Sequence, residues 1–426
     1  MSDVVRLLRD QLAAEARALP RRARPGDAAR RRLDRAGTVA EVRAAARRAL
    51  PRVVFDFVDG GAGDEVTAAR NVEDLEAVEL APRTLVDVSQ VDLSVELLGR
   101  RLALPVVGAP TGLCGLVHGD GEVALARGLH AAGSLYTLAA MASYSIEEVA
   151  AAAPGPLWFQ TYLWRDRALV LDLLDRARAA GYAALVVTVD VPRAASRDRD
   201  RRNGFGLPPR LTARSALDGV RRPAWTWRFL TRPRLTAASV AEGRLADGDS
   251  VSVAAYVDRQ FDPSATWEDL AWLRERWAGP LVVKGVMTAA DARHAVARGA
   301  DAVVVSNHGG RQLDRVSSTI RALPAVVEAV GDRAEVVVDG GIRRGADVVA
   351  ALAHGARACM VGRPVVFGLG AGGEAGVRHV MGVFERELRG TLALLGCARA
   401  ADLDASFLVA RDPVGLHADD LTRGRA

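Results

Sequence analysis

Eight short apolar runs, each followed by an Ala-rich helical stretch, constrain this 426-residue chain more than any other feature. They read LPVVGA (104–109), SLYTL (134–138), LWFQT (157–161), ALVVTVD (184–190), PLVVK (280–284), AVVVS (302–306), EVVVD (335–339) and ACMVG (358–362). Runs that are apolar on both faces and separated by helices belong to a parallel sheet covered on both sides. Eight of them favour an α/β fold closed as a (β/α)8 barrel over an open doubly wound sheet. The link between the fourth and fifth runs, about 191–279, is far longer than a crossover needs. It holds AWTWRFL (224–230) and a helical ATWEDLAWLRERW (265–277), and insertions of that size are usually functional or disordered.

Ahead of the barrel, Thr38 is a fitting N-cap for a helix that runs to Leu50 and stops at Pro51. Residues 1–36 carry ten Arg and five acids, interrupted by Pro20 and Pro25, and read as a mobile or loosely docked arm. The domain is expected over 37–410, with its barrel at about 104–396 and a tail at 411–426. Half of the residues are apolar and the charge is nearly balanced at +5, which excludes a disordered or collagen-like chain. No run approaches 18 uncharged apolar residues and none resembles a signal segment, so a soluble, cytoplasmic-type chain is expected. Cys114, Cys359 and Cys397 lack CxxC or CxH spacing, which argues against a disulfide framework or a metal site. Acids are interspersed with the arginines, so nucleic acid is not an expected partner. Of 57 basic residues, 56 are arginine and one is lysine, Lys284. Either chance spared it or its site needs a compact ammonium.

Chemistry in such a barrel gathers at the C-terminal strand ends. Polar and glycine residues collect there: Gly108–Gly112, Thr137–Ala140, Gln160 with Tyr162, Thr188 with Asp190, Lys284, Ser306–Asp314, Asp339–Arg343 and Gly362–Arg363. VDGGIRRG (338–345) and MVGRP (360–364) each end a strand and open a helix. Glycines there let backbone N–H groups approach a phosphate, with Arg343 or Arg363 adding charge. Either turn alone is equally an ordinary connection; as a pair after the last two strands they point to phosphate binding. In SNHGGRQLD (306–314), His308 and Arg311 share one glycine-relieved turn. A histidine beside a bidentate carboxylate binder suits proton abstraction from a small acid, although a lone His–Arg pair is also a common surface turn. Asp190 is placed to orient His308, and Arg197 to make a second carboxylate contact. Lys284 ends a strand between valines and glycine, so Schiff-base, general-base and anion-stabilising roles all remain open.

Together these segments resemble the FMN-dependent 2-hydroxy-acid dehydrogenase/oxidase family, which includes glycolate oxidase, flavin L-lactate dehydrogenases and mandelate dehydrogenase. The likeness runs from about 38 to 408 through LPRVVFDFVDGGAGDEVTAARN (50–71), APTGL (109–113), WFQTY (158–162), VTVDVPR (187–193), VVKGV (282–286), SNHGGRQLD, VDGGIRRG and MVGRP, in family order. It implies that FMN is the cofactor, that His308 is the active-site base and that Asp190 supports it. Arg311 and Arg197 would clamp the carboxylate of a small-molecule 2-hydroxy acid, and Tyr162 would lie near its hydroxyl. Lys284 would sit by the flavin ring where negative charge collects. Pro110, Thr111, Gly112, Ala139, Gln160, Thr188 and Ser306 would line the flavin and ribityl parts. Asp339, Gly340, Gly341, Arg343, Gly362 and Arg363 would hold the phosphate end. A homo-oligomer, a tetramer, is also implied.

Four positions depart from the family's pattern. Phe57 stands where a Tyr is usual, removing a donor worth on the order of 1–2 kcal/mol of substrate binding. Ala139 replaces a common Ser, while Met141 and Gly112 stand where glycolate oxidase has Trp and Ala. Each change removes polarity or bulk, so a larger or less polar substrate than glycolate is expected. LDGVRRPAWTWRFL (217–230) resembles the long loop of the membrane-associated members. Peripheral contact with an anionic membrane and a quinone acceptor are therefore expected, against simple packing of the loop on its own barrel. Oxidation by O2, a non-redox flavin isomerase and a flavin binder without catalysis are the alternatives.

Overall fold

The computed structural model describes residues 27–153, 155–205, 213–231, 234, 237–241 and 259–409. The eight apolar runs form β3 (Val106–Gly108), β4 (Tyr136–Ala139), β5 (Leu157–Tyr162), β6 (Ala184–Thr188), β7 (Leu281–Val286), β8 (Ala302–Val305), β9 (Glu335–Asp339) and β10 (Ala358–Val361). They close in the order β10-β3-β4-β5-β6-β7-β8-β9, every neighbouring pair parallel. The reason is visible strand by strand. Val303, Val304 and Val305 are fully buried, as are Leu185, Val186 and Val187, since one face fills the barrel and the other meets the helices.

A hairpin precedes the barrel that the alternation does not predict, β1 (Val95–Leu97) and β2 (Arg100–Leu102). Its two-residue loop, Leu98–Gly99, has positive φ at both positions (48° and 71°), the backbone that suits right-twisted strands. The Leu98 N–H donates to Glu335 at the start of β9 (3.0 Å), so the hairpin covers the N-terminal mouth and leaves the other mouth free for chemistry.

Four helices come first: α1 (Asp27–Asp34), α2 (Val39–Ala49), α3 (Arg52–Asp59) and α4 (Val66–Glu76). Thr38 caps α2 in a reciprocal capping box with Glu41, as expected. Part of the segment read as an arm lies in α1, where Leu33 is buried. Residues 1–26 and the tail beyond 409 fall outside the described residues. α1 and α2 pack on the long helix Arg363–Leu395, which leaves helical geometry at Gly372–Gly373. In the insertion, Ala213–Val220, Pro223–Thr231 and Trp267–Arg274 are helical. Trp225 stacks on Phe229 (4.7 Å) and donates its indole N–H to the Leu116 carbonyl (3.0 Å), while Leu217 and Val220 are exposed.

One buried carboxyl ties the loops after β3 and β4. Glu122 Oε1 accepts from the N–H groups of Cys114 and Ser143, both at 2.9 Å, while Oε2 has no hydrogen-bond partner. Burial pushes this carboxyl up to about 7, against the pull of the two N–H groups. A carboxyl raised above its unfolded value contributes most below pH 4.5 and loses that contribution as pH rises through 7, on the order of 3 kcal/mol. Glu122→Gln keeps the acceptor oxygen and removes the ionisation. Its melting temperature should therefore gain on the parent's progressively between pH 4.5 and 7.5 in thermal scans; parallel pH curves would refute this.

Candidate active site

At the C-terminal mouth, one cavity of about 380 Å³ gathers most of the residues singled out from the sequence. Its walls include Phe57, Pro110, Thr111, Gly112, Ala139, Met141, Tyr162, Arg197, Lys284, His308 and Arg311, and at the far end Asp339, Gly340, Gly341, Arg343, Gly362 and Arg363. Gln160 and Ser306 are buried at strand ends but do not line it. Thr188 faces an adjoining cavity of about 430 Å³ that shares Tyr162, Val191 and Phe261 with the first. Phe205, Phe261, Ala194 and Ala195 also line the main cavity; they come from the insertion, where no periodicity marked them.

His308 is in the left-handed region, φ 58°, a conformation that non-glycine residues adopt mainly under local constraint. Its Nδ1 lies 3.0 Å from Asp190 Oδ1 and 3.3 Å from Oδ2. Burial alone would raise the Asp190 carboxyl, but His308 and then Lys284 hold it below its ordinary value. An ionised carboxylate only accepts, so Nδ1 carries a proton and Nε2 remains the basic nitrogen. Gly285, at φ 106°, makes room for this pair: a Cβ there would lie 2.8 Å from Asp190 Cβ. Tyr162, with its phenol raised by burial and then by Asp190, packs edge-on to Phe261 (5.4 Å).

Phe57 lines the cavity wall among aromatic and guanidinium groups. Phe205 stacks on it at 4.4 Å, and the guanidinium carbons of Arg197 and Arg311 stand 5.6 Å and 5.3 Å from its ring centre. Both guanidiniums thus stand within cation–π distance of the Phe57 ring. Arg311 Nη1 donates to the carbonyls of Phe57 (2.9 Å) and Gly60 (2.7 Å). Arg363 donates to those of Gly309 (2.7 Å) and Gly60 (2.8 Å).

Buried arginines run from the Phe57 side to the far end of the cavity. Burial lowers Arg311 well below its ordinary value, with Arg197 and Arg363 adding repulsion. Burial and then Arg363 push Arg343 down to about 10, and Arg363 is lowered mainly by burial. Asp339 Oδ1 and Arg363 Nε are buried without hydrogen-bond partners, beside the glycine pair 340–341. Asp347 accepts from the N–H groups of Arg343 (2.7 Å) and Arg344 (2.9 Å) and so shapes that turn. Mutually repelling arginines, orphaned polar atoms and an open backbone turn are what a phosphate ester fits.

The comparisons agree with this geometry. A family model described as FMN-dependent dehydrogenase matches residues 46–410. An L-lactate dehydrogenase of Caulobacter vibrioides is 45% identical over 376 residues, 88% of this chain and 97% of the relative. An L-lactate oxidase of Nostoc sp. is 44% identical, over 85% of this chain and 95% of the relative. Among solved structures, the monotopic membrane protein (S)-mandelate dehydrogenase superposes with a TM-score of 0.84 at 37% identity, covering 88% of this chain and 99% of that one. Barrel and site define a flavin oxidoreductase acting on CH–OH donors. The chain belongs to the FMN-dependent 2-hydroxy-acid dehydrogenase/oxidase family, and its cofactor is FMN.

A charged hydrogen bond to phosphate contributes about 1.5–3 kcal/mol, or roughly 10–150-fold in affinity. Arg343→Ala and Arg363→Ala should each weaken FMN binding by that factor when the stripped protein is titrated with FMN. A variant within threefold of the parent would remove that arginine from the phosphate end.

Proposed function

We propose that this enzyme oxidises an (S)-2-hydroxy acid with an apolar, lactate- to mandelate-like side chain to the 2-oxo acid. The observation that carries the reading is the Asp190–His308 pair at 3.0 Å, opening on the same cavity as Arg197 and Arg311. In this reading the two guanidiniums orient the substrate carboxylate, and Tyr162 meets the hydroxyl. His308 Nε2 takes the proton that leaves the substrate, and Asp190 stabilises the imidazolium that results. FMN, when bound, supplies the two-electron acceptor for the substrate carbon. Lys284, Gly112, Pro110, Thr111 and Ala139 would flank its ring, with Gln160, Thr188 and Ser306 beneath. Asp339, Gly340, Gly341, Arg343, Gly362 and Arg363 would receive its phosphate end. Lys284 Nζ lies 2.9 Å from Ser306 Oγ and 3.2 Å from Asp339 Oδ2, a fixed point charge rather than a free nucleophile.

The substrate class follows from the wall. Phe57, Phe205, Ala139 and Met141 offer apolar surface and no hydroxyl, and each buried methylene contributes about 0.8 kcal/mol. Anaerobic bleaching of the flavin by glycolate, lactate and mandelate should show at least a tenfold preference in rate constant over concentration for the bulkier acids. Equal bleaching by glycolate would sink the substrate class, and no bleaching by any 2-hydroxy acid would sink the reaction. Lys284→Arg should slow that bleaching about 10–100-fold with FMN still bound.

For the electron acceptor we favour a quinone reached at a membrane surface. Supporting this are the exposed Leu217 and Val220 beside Arg221 and Arg222, and the likeness to a monotopic membrane dehydrogenase. Among the described residues no helix is long and apolar enough to cross a membrane, so contact would be peripheral. The likeness to an L-lactate oxidase supports the second reading, reoxidation by O2 with release of H2O2. Stopped-flow reoxidation separates them: quinone should outpace air-saturated buffer by at least tenfold, and the reverse would assign the oxidase. A homotetramer is the accompanying assembly proposal, checked by light scattering.

A further inference from the structure

α4 lines no part of the cavity, yet one of its residues touches both loops on which the chemistry depends. Thr67, Asn71 and Leu75 are the buried face of α4, and Asn71 is 1% exposed. Its amide pairs reciprocally with that of Asn307. Asn71 Nδ2 donates to Asn307 Oδ1 at 2.9 Å, and Asn307 Nδ2 donates to Asn71 Oδ1 at 2.8 Å. The remaining partners leave a single orientation for each amide. Asn307 Nδ2 also donates to the Ser317 carbonyl (3.1 Å), Asn307 Oδ1 also accepts the Gly310 N–H (3.1 Å), and Asn71 Oδ1 accepts the Thr319 N–H (3.3 Å). Asn307 directly precedes His308, and the Gly310 bond spans it. The amide pair therefore closes the turn that holds His308 in its left-handed conformation.

The same residue reaches the other loop. A Cβ on Gly341, at φ 87°, would lie 2.1 Å from the Asn71 carbonyl oxygen, and one on Gly340 would lie 3.0 Å from Asn71 Nδ2. Thr319, whose N–H Asn71 accepts, donates its hydroxyl to the Asp339 carbonyl at 2.6 Å. The histidine turn is thus spaced from the Asn71 side-chain amide, and the glycine turn from that amide at Gly340 and from the Asn71 main-chain carbonyl at Gly341.

We propose that Asn71 is a positioning residue that sets the His308 turn and the Gly340–Gly341 turn relative to one another, and so aligns proton acceptor and phosphate cradle. Asn307 is its partner: it closes the His308 turn directly and meets the glycine turn only at Gly340, where a Cβ would lie 3.3 Å from its Oδ1, while Asn71 also holds Thr319. The inference rests on the reading of His308 as the proton acceptor. His308→Gln tests that reading separately: near-parental turnover there would remove His308 as the acceptor, whatever Asn71 does.

The test uses FMN-loaded enzyme, with kcat per bound flavin, substrate KM, the isotope effect of a 2-deuterated hydroxy acid, and the FMN dissociation constant. A misplacement near 1 Å lowers turnover about 100-fold. Asn307→Ala should therefore lose about 100-fold in kcat with KM within threefold, a larger isotope effect and a smaller loss of FMN affinity than Asn71→Ala. Asn71→Ala should lose the same in kcat and in addition at least tenfold in FMN affinity. The double variant should be no slower than Asn71→Ala, because both act through one pair. Asn71→Asp keeps the acceptor for Asn307 and Thr319 but buries a carboxyl and sets an oxygen against Asn307 Oδ1 in place of the donor. It should show at least a tenfold loss in kcat per bound flavin together with a lower melting temperature, and Asn307→Ala carries the test if neither Asn71 variant folds. A lower melting temperature with kcat per flavin within twofold of the parent would overturn the proposal, as would multiplicative losses in the double variant.

Discussion

Buried cations at one mouth of the barrel are the constraint on which the rest of the structure depends. Arg311, Arg343 and Arg363 are lowered mainly by burial, the first two further by Arg363, and Lys284 is 3% exposed. Unpaired buried charge is strongly destabilising, and the carboxylate nearest Lys284 is that of Asp339. Much of the compensation comes from carbonyl groups. Phe57 lies in the last turn of α3 and Gly60 caps it, and their oxygens receive Arg311 and Arg363. That end of α3 is the negative end of its dipole. The N-terminal helices are therefore a counter-charge for the barrel mouth, held there by Asp314, which accepts the N–H groups of Asp64 and Thr67 (3.0 and 2.8 Å).

The same compensation divides the cavity. Carbonyls solvate the guanidiniums without neutralising them, so the mouth keeps an attraction for anions, which fits the proposed carboxylate beside Arg197 and Arg311 and the proposed phosphate beside Arg343 and Arg363. Between the two, Ser306 Oγ accepts from Lys284 (2.9 Å) and from the His308 N–H (3.1 Å). One hydroxyl thus couples Lys284 to the turn that bears His308, the proposed base.

What could be read from the sequence follows from how each signal is encoded. All eight barrel strands were legible because burial on both faces leaves them mostly apolar, and most of their polar residues, such as Gln160, Thr188, Lys284 and Asp339, gather toward the C-terminal ends. The Asp190–His308 pair was legible as two strand ends brought together by a parallel barrel. The hairpin β1–β2 was not, because three-residue strands carrying Arg100 and Arg101 lack the alternation that marks a longer strand. Phe205 and Phe261 were not, because their place on the cavity wall is set by how the insertion folds back, which no local pattern encodes. Asn71 gave no signal either: a lone asparagine on a helix reads as a solvated residue until its partner, 236 positions away, is known.

Lys284 shows what such a constraint does to composition. Its ammonium meets Ser306 and Asp339 in a closed space at the end of β7, where the register to β8 slips between Lys284 and Val286 and Asp190 presses against Gly285. A guanidinium brings five donors in a rigid plane to a place that offers two partners. Its spare N–H groups would be buried unpaired or would displace the Asp190–His308 contact beside it. In a chain that uses arginine at its other 56 basic positions, lysine persists where the cavity has room for a point charge and none for a fork.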